Sequence, residues 1–303
     1  MKIIKLLAII CLWASVKVSA QTLTDGLLMP KNNLCTGFTY TVDSWRNYWE
    51  GSLKRDNLNI GTITTKNVMW VANYGLTEKL NLIAMVPYVW TNSNSGTLRG
   101  MQGVQDLTLA GKYKFFQQDL SIGKFKAFGI VSGSVPLTNY VTDYQPLAIG
   151  MGSKTLSARL NLSYAHAKGW YAGVSGSYVM RSNVTIDRTS YYRGDHIIYS
   201  NKVSMPNQFM LFANAGYQKN NFQAELNYSQ LNTLSGDDIR RQNMPELWSK
   251  MIYFKLGATL VYEIPMVKGL QARANGYYTL AGRNVGQSTT LTAGLLYTIQ
   301  FKK

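Results

Sequence analysis

The last stretch of the chain alternates between apolar and small or polar residues, and this pattern constrains the fold more than any other feature. Apolar side chains recur at every second position from Leu291 to Phe301, whereas the positions between them hold Thr, Gly or Gln apart from Leu296. A period of two predicts a β-strand whose two faces meet different environments.

The same alternation recurs along the chain. The predicted strands lie near 34–43, 64–74, 80–90, 105–116, 125–135, 153–165, 170–181, 208–218, 222–231, 250–262, 269–279 and 288–301. Most run about ten to thirteen residues, which is enough for a tilted strand to cross a bilayer. A soluble β-sandwich is the alternative, but its strands usually run about five or six residues.

The connections between these strands also alternate. Longer polar stretches, such as 44–61 and 182–207, follow the odd-numbered strands, and short turns follow most even-numbered ones. Aromatic residues gather near both ends of the strands, as expected at two membrane interfaces. Lipid offers no hydrogen-bond partner to a free sheet edge, so we expect the sheet to close. We therefore predict an all-β fold: a closed 12-stranded antiparallel transmembrane β-barrel with short periplasmic turns and longer extracellular loops.

The first residues predict export. Lys2 and Lys5 precede an apolar run over 6–16, and small residues end at Ala20. This layout is typical of a secretory signal peptide spanning 1–20. We expect residues 21–33 to form a periplasmic N-terminal segment or partial plug, and residues 34–303 to form a barrel in the outer membrane.

Composition argues against several kinds of chemistry. The net charge is +16, but the cations are scattered, so nucleic-acid binding is not predicted and basic loops are expected to meet lipid headgroups. The only two histidines, His166 and His196, lie in connections without a nucleophile motif, and Asp237 and Asp238 are adjacent. Residues 150–155 lack the spacing of a phosphate-binding loop. We predict no catalytic residue, no metal or cofactor, and no enzymatic activity.

The inward positions of the strands define the candidate lumen. Its charged members are Asp43, Asp106, Lys112, Lys114, Arg159, Glu225, Lys255 and Arg273. Glu225 and Arg273 could pair across the tenth strand. These charges could neutralise one another or select solutes, and both interpretations stay open.

Apolar residues are also predicted to face inward. They are Ile83, Met85, Val89, Val131, Val135, Met210, Phe212 and Tyr253. Such a lining is compatible with a path for a hydrophobic ligand, and equally with packing against a plug. A barrel of this size encloses a modest lumen.

Two stretches resemble a known family. Residues 74–88 read YGLTEKLNLIAMVPY, and residues 103–116 read GVQDLTLAGKYKFF. This turn, followed by a strand ending in Pro and then by G-x-x-D-L-x-L-x-x-K-Y, is similar to the outer-membrane family described as MetA-pathway of phenol degradation. The resemblance implies a channel-like barrel for small, often hydrophobic or aromatic compounds.

We thus expect passive uptake of a small hydrophobic or aromatic solute through a narrow lumen. The partners would be outer-membrane lipid and the solute, and the oligomeric state is left open. One alternative is an anion-selective channel, for instance for acidic sugars, that uses the positive lumen. Another is a structural or adhesive barrel whose loops bind a partner.

Overall fold

The computed structural model describes residues 22–240 and 247–301, so the predicted signal peptide lies outside the described residues. Its long strands are β1 Asn33–Trp45, β2 Ile63–Gly75, β3 Leu80–Ser93, β4 Asp106–Leu120, β5 Gly123–Pro136, β6 Thr155–His166, β7 Trp170–Arg181, β8 Gln208–Lys219, β9 Phe222–Thr233, β10 Ile252–Glu263, β11 Leu270–Arg283 and β12 Thr289–Gln300. They match the twelve predicted segments to within a few residues. Within the described ranges, no helix is long and apolar enough to cross a membrane.

The sheet closes on itself through β1. Leu34 of β1 lies opposite Tyr74 of β2 on one side and opposite Ile299 of β12 on the other. Every other long strand pairs antiparallel with its two neighbours in the chain. The predicted closed 12-stranded antiparallel barrel is confirmed, and closure pairs the backbone groups that a free edge would leave in lipid.

The two faces of the strands differ in exposure. On β6, Leu160 is 49% exposed, whereas the next residue, Asn161, is fully buried. A soluble sandwich would bury its apolar face, but here the apolar residues form the outer surface and the polar ones lie within. Aromatic rings border this surface, with Trp170 and Phe222 near the short turns and Tyr40 and Tyr278 toward the loops.

Short connections join the strands at one end of the barrel. The turn between β8 and β9 is Asn220–Asn221, and Asn220 has a φ of 53°. Asparagine tolerates this left-handed conformation better than most residues, which suits a two-residue hairpin. The start of β1 and the described C-terminal residue lie at this end, because Phe301 N donates to Asn32 O and Asn32 N donates to Gly75 O.

Longer connections lie at the other end, with one exception. The loops 46–62, 94–105, 137–154, 182–207 and 234–251 are long, but only 284–288 joins β11 to β12. The expectation of six long loops is therefore wrong for the last one. Residues 281–283 continue the pairing of β11 with β10 beyond a β-bulge. These residues were predicted to belong to the loop, and their place in the strand shortens it.

The outer loops fold into a small apolar core of their own. Its buried members are Val184, Ile186, Tyr191, Val203, Met205, Leu247 and Trp248. The Arg193 guanidinium lies 3.9 Å from the centre of the Trp248 ring, a cation–π contact that ties two loops together. Residues of the loop 182–207 thus pack against Leu247 and Trp248.

Candidate functional site in the barrel lumen

The N-terminal segment, residues 22–32, lies against the inner wall of the barrel. Leu23 and Leu28 pack on a buried cluster that includes Ile83, Phe128 and Ile130. The wall approaches Gly26 so closely that an added Cβ would lie 1.9 Å from the hydroxyl oxygen of an inner-wall serine. Glycine is therefore required at position 26, where the segment passes Ser163 of β6.

Lys112 on β4 joins this segment to the wall. Its side chain is fully buried, and Nζ donates to Asp25 Oδ1 at 2.8 Å, to Asp25 O at 2.7 Å and to Thr22 O at 2.9 Å. The ammonium also lies 5.1 Å from the centre of the Phe128 ring. A lysine has three donors and no acceptor, so this set satisfies it completely.

Two further contacts hold the segment. Asn161 Nδ2 donates to Thr24 O at 2.6 Å and to Asp25 O at 3.1 Å. Nearer the short turns, Met29 packs with the buried thiol side chain of Cys35 and with Leu296. Hydrogen bonds thus hold the middle of the segment and apolar contacts hold its end.

Arg159 on β6 occupies the inner wall at the same level but has few partners. Its Nη1 donates to Ser175 Oγ at 3.3 Å, and among the described residues no carboxylate lies within ion-pair distance of it. Ser177, directly opposite Arg159 in the register, is 1% exposed, and its hydroxyl contacts no hydrogen-bond partner within the described chain.

Glu225 on β9 is held by neutral donors. Its Oε2 accepts from Asn214 Nδ2 at 2.6 Å and from the Tyr171 hydroxyl at 3.0 Å. The suggested pairing with Arg273 is wrong as a direct contact, because the described residues show no ion pair between them. Arg273 lies on the inward face of β11, opposite the buried Val261 of β10.

Three other predicted charges lie toward the ends of the barrel. Lys255 Nζ donates to Ser288 Oγ at 3.0 Å and lies 5.0 Å from the centre of the Tyr253 ring. Asp43 accepts a hydrogen bond from the Thr290 hydroxyl. Lys114 lies at the short-turn end, where its Nζ donates a hydrogen bond to Gln117 Oε1 at 2.8 Å.

Asp106 lies at the outer mouth and anchors a loop. The Tyr140 hydroxyl donates to Asp106 Oδ1 at 2.6 Å and accepts from Gly152 N at 3.1 Å. Burial, and then the neighbouring carboxylate, raise the pKa of the Tyr140 phenol well above its usual value. The phenol therefore stays protonated and keeps the loop 137–154 folded over the mouth.

The apolar inner wall differs from the prediction on β5. Val131 and Val135 were expected to face inward, but they face outward, with Val131 60% exposed. Phe128 and Ile130 face inward instead and are covered by the N-terminal segment. Apolar residues occur on both faces of the middle of this strand, so its alternation does not identify the inner side there.

The other apolar positions line the wall as expected from the alternation. Ile83 and Met85 of β3 belong to or contact the cluster under the N-terminal segment, and Val89 is buried on the same face. Met210 and Phe212 of β8 share the inward face with the buried Asn214. Phe209, the residue before Met210, lies on the outward face.

A cavity of about 750 Å³ lies among the outer loops, and its lining was not predicted from the sequence. Apolar side chains such as Trp45, Leu58 and Met251 line it together with the amides of Asn57 and Gln145. A cavity of this size with mixed lining can hold a small organic molecule. Loop residues carry no periodic signal, so only their packing reveals it.

Each of the histidines and aspartates considered for catalysis has structural contacts. His166 Nδ1 accepts from Lys168 N at 3.0 Å, and His196 belongs to a short outer hairpin, Tyr191–Arg193 with His196–Ile198. Asp237 accepts from the backbone of Gly194, whereas Asp238 binds Arg283. In the described ranges no group of three His, Cys, Asp or Glu residues could hold a metal ion.

Comparison with known proteins identifies the fold. No protein-family model and no curated sequence matches the chain. Among solved structures, the COG4313 outer membrane channel from Pseudomonas putida F1 matches with a TM-score of 0.74 and 13% identity over 93% of this chain and 100% of that one. The NalP autotransporter translocator domain from Neisseria meningitidis (TM-score 0.45, 10% identity, 89% of each chain) and a TodX monoaromatic hydrocarbon channel mutant (0.44, 11%, 90% and 91%) are more distant.

The first of these similarities spans almost the whole chain and agrees with the resemblance seen in the sequence. Together with the closed sheet and its apolar outer face, it shows the fold of an outer-membrane channel. The protein is an outer-membrane β-barrel.

Proposed function

We propose that this barrel admits small hydrophobic or aromatic solutes passively through a narrowed lumen, without covalent chemistry. The observation that carries the proposal is the presence of apolar side chains on an otherwise polar inner wall, where Met85, Met210 and Phe212 occupy positions that a wide aqueous pore would fill with polar groups. The mixed apolar cavity among the outer loops supports it, because a solute could be held there before it enters the lumen.

In this proposal the N-terminal segment acts as a partial plug. Its contacts with Lys112 and Asn161 place it across the inner wall, where it narrows the path. A solute would pass beside it or displace it. The family resemblance and the channel fold both favour this kind of transport, while the particular compound is left open.

Uptake of radiolabelled toluene by Gram-negative cells that lack other aromatic channels tests the proposal. Phe212→Ser places a hydroxyl on the lumen wall, and we expect the initial uptake rate to fall several-fold. Phe209→Ser makes the same change on the lipid face and should leave uptake near wild type at equal barrel abundance. Equal uptake by cells with and without the protein would refute the proposal.

A further inference from the structure

The inner wall presents a row of five cross-strand neighbours with two cations in it. Along the row, Lys112, Ile130, Arg159, Ser177 and Met210 lie opposite one another on β4 to β8. Neighbouring strands are about 4.8 Å apart, so the backbones of the two cationic residues are about 10 Å apart. The two residues therefore share one level of the lumen.

The two cations of this row differ in how they are satisfied. Lys112 has Asp25 and two carbonyl oxygens, whereas Arg159 has a single protein hydrogen bond, at 3.3 Å, to Ser175. A guanidinium offers five N–H donors, and most of them are left for another acceptor. The carboxylate of Glu225, on the far side of β8, is already occupied by neutral donors.

Two buried hydroxyls lie beside Arg159. Ser175 and Ser177 are each 1% exposed. The Ser177 hydroxyl has no hydrogen-bond partner within the described chain, and Ser175 accepts from Arg159, which leaves its own hydrogen to donate. One cation and two hydroxyl donors on adjacent strands form a set that favours an anionic oxygen ligand.

Apolar side chains flank these donors on the side away from the N-terminal segment. Met210 lies opposite Ser177 on β8, and Phe212 lies opposite Ser175, whereas Ile130 on β5 is already covered by that segment. A ligand whose anionic group binds the donors would therefore place its remaining atoms against apolar surface. Simple inorganic anions would make no use of that surface.

We infer that Arg159, Ser175 and Ser177 bind the carboxylate or sulfonate group of an amphipathic organic anion, whose apolar body contacts Met210 and Phe212. The inference rests on the proposed function and adds to its solutes small acids with a hydrocarbon or aromatic part. Arg159 supplies charge and paired donors, and the two serines orient the bound oxygens.

Block of single-channel current in KCl tests this inference, with benzenesulfonate as the probe and methanesulfonate as the anion without an apolar body. Benzenesulfonate should block at lower concentration than methanesulfonate. Arg159→Gln should raise the half-blocking concentration about tenfold or more, since a hydrogen bond to a charged group is lost. Lys219→Gln removes the same charge at the exposed end of β8 and should change it less than about twofold.

The outcomes separate the inference from the proposed function. Equal block of wild type and Arg159→Gln, or equal block by the two sulfonates, would overturn the inference while leaving a conducting channel. Absence of any current would count against the channel, and calorimetric titration of benzenesulfonate into the detergent-solubilised variants then decides the binding site. Ser177→Ala, a small change in a buried position, should weaken binding severalfold in either assay; unchanged binding would remove Ser177 from the site.

Discussion

Replacing Asp25 with Asn should release the N-terminal segment from the wall and expose Cys35 to thiol reagents. The carboxylate of Asp25 forms an ion pair with the ammonium of the fully buried Lys112. Cys35 is 5% exposed and packs with Met29, which belongs to the same segment. Cys35 is the only cysteine after residue 20, so maleimide labelling of a chain that starts at residue 21 reports directly on this movement.

The size of the effect follows from the contacts that survive. Removing one partner of a buried ion pair costs about 3–5 kcal/mol when the other charge stays buried. In the variant, two backbone carbonyls still accept from Lys112 and asparagine keeps one side-chain oxygen, so we expect about 2–3 kcal/mol. If the reagent attacks only an open form in rapid equilibrium with the closed one, labelling accelerates about 30- to 150-fold.

Matched variants check the cause. Asp119→Asn removes the same charge from an ion pair with Lys124 whose side chains are both more than half exposed, and it should change labelling less than about twofold. Combining Asp25→Asn with Lys112→Met removes the stranded ammonium and should return labelling toward wild type. Unchanged labelling of Asp25→Asn, with full labelling after unfolding in urea, would refute the reasoning.

Leu160→Arg should lower the free energy of unfolding by about 2–4 kcal/mol, because it puts a cation on the lipid face at mid-strand; an unchanged urea midpoint on heat-modified gels would argue against that orientation. Gly26→Ala should accelerate the thiol labelling described above, whereas Gly111→Ala, whose added Cβ meets nothing within 4 Å, should not; equal rates would contradict the close approach. A hydrogen bond from Arg283 lowers the pKa of Asp238 from its ordinary value. The stabilisation by this pair is therefore present above the ordinary pKa and is lost as the pH falls through the lowered pKa. Asp238→Asn should therefore speed trypsin cleavage in loop 234–251 at neutral pH, and cleavage as slow as in wild type would show that the pair does not hold the loop.

The barrel could be predicted from local pattern because each strand is two-faced by itself. A period of two follows from backbone geometry, and the lipid side must be apolar whatever the lumen contains. The exposed Leu160 beside the buried Asn161 shows the rule at work. It also places Lys112, Arg159 and Glu225 on the inner wall without knowledge of any contact.

The pattern failed on β5 for a physical reason that lies elsewhere in the chain. Leu23 and Leu28 cover Phe128 and Ile130, so the middle of that strand's inner face is apolar, like its outer face. Alternation distinguishes a strand's faces only when their environments differ in polarity. Because an apolar segment covers this stretch of the wall, the inner and outer faces of the strand no longer meet environments of different polarity there.

The sequence by itself determined the number of strands, their antiparallel closure and most inward positions. The tertiary structure decided which of two similar inner-wall cations is neutralised, because the carboxylate that binds Lys112 comes from a position 87 residues away and crosses the lumen to reach it. Arg159 receives no such partner, and no periodicity along its strand could indicate this. Contacts between an irregular segment and a distant wall depend on how the chain packs, and a local pattern contains no record of them.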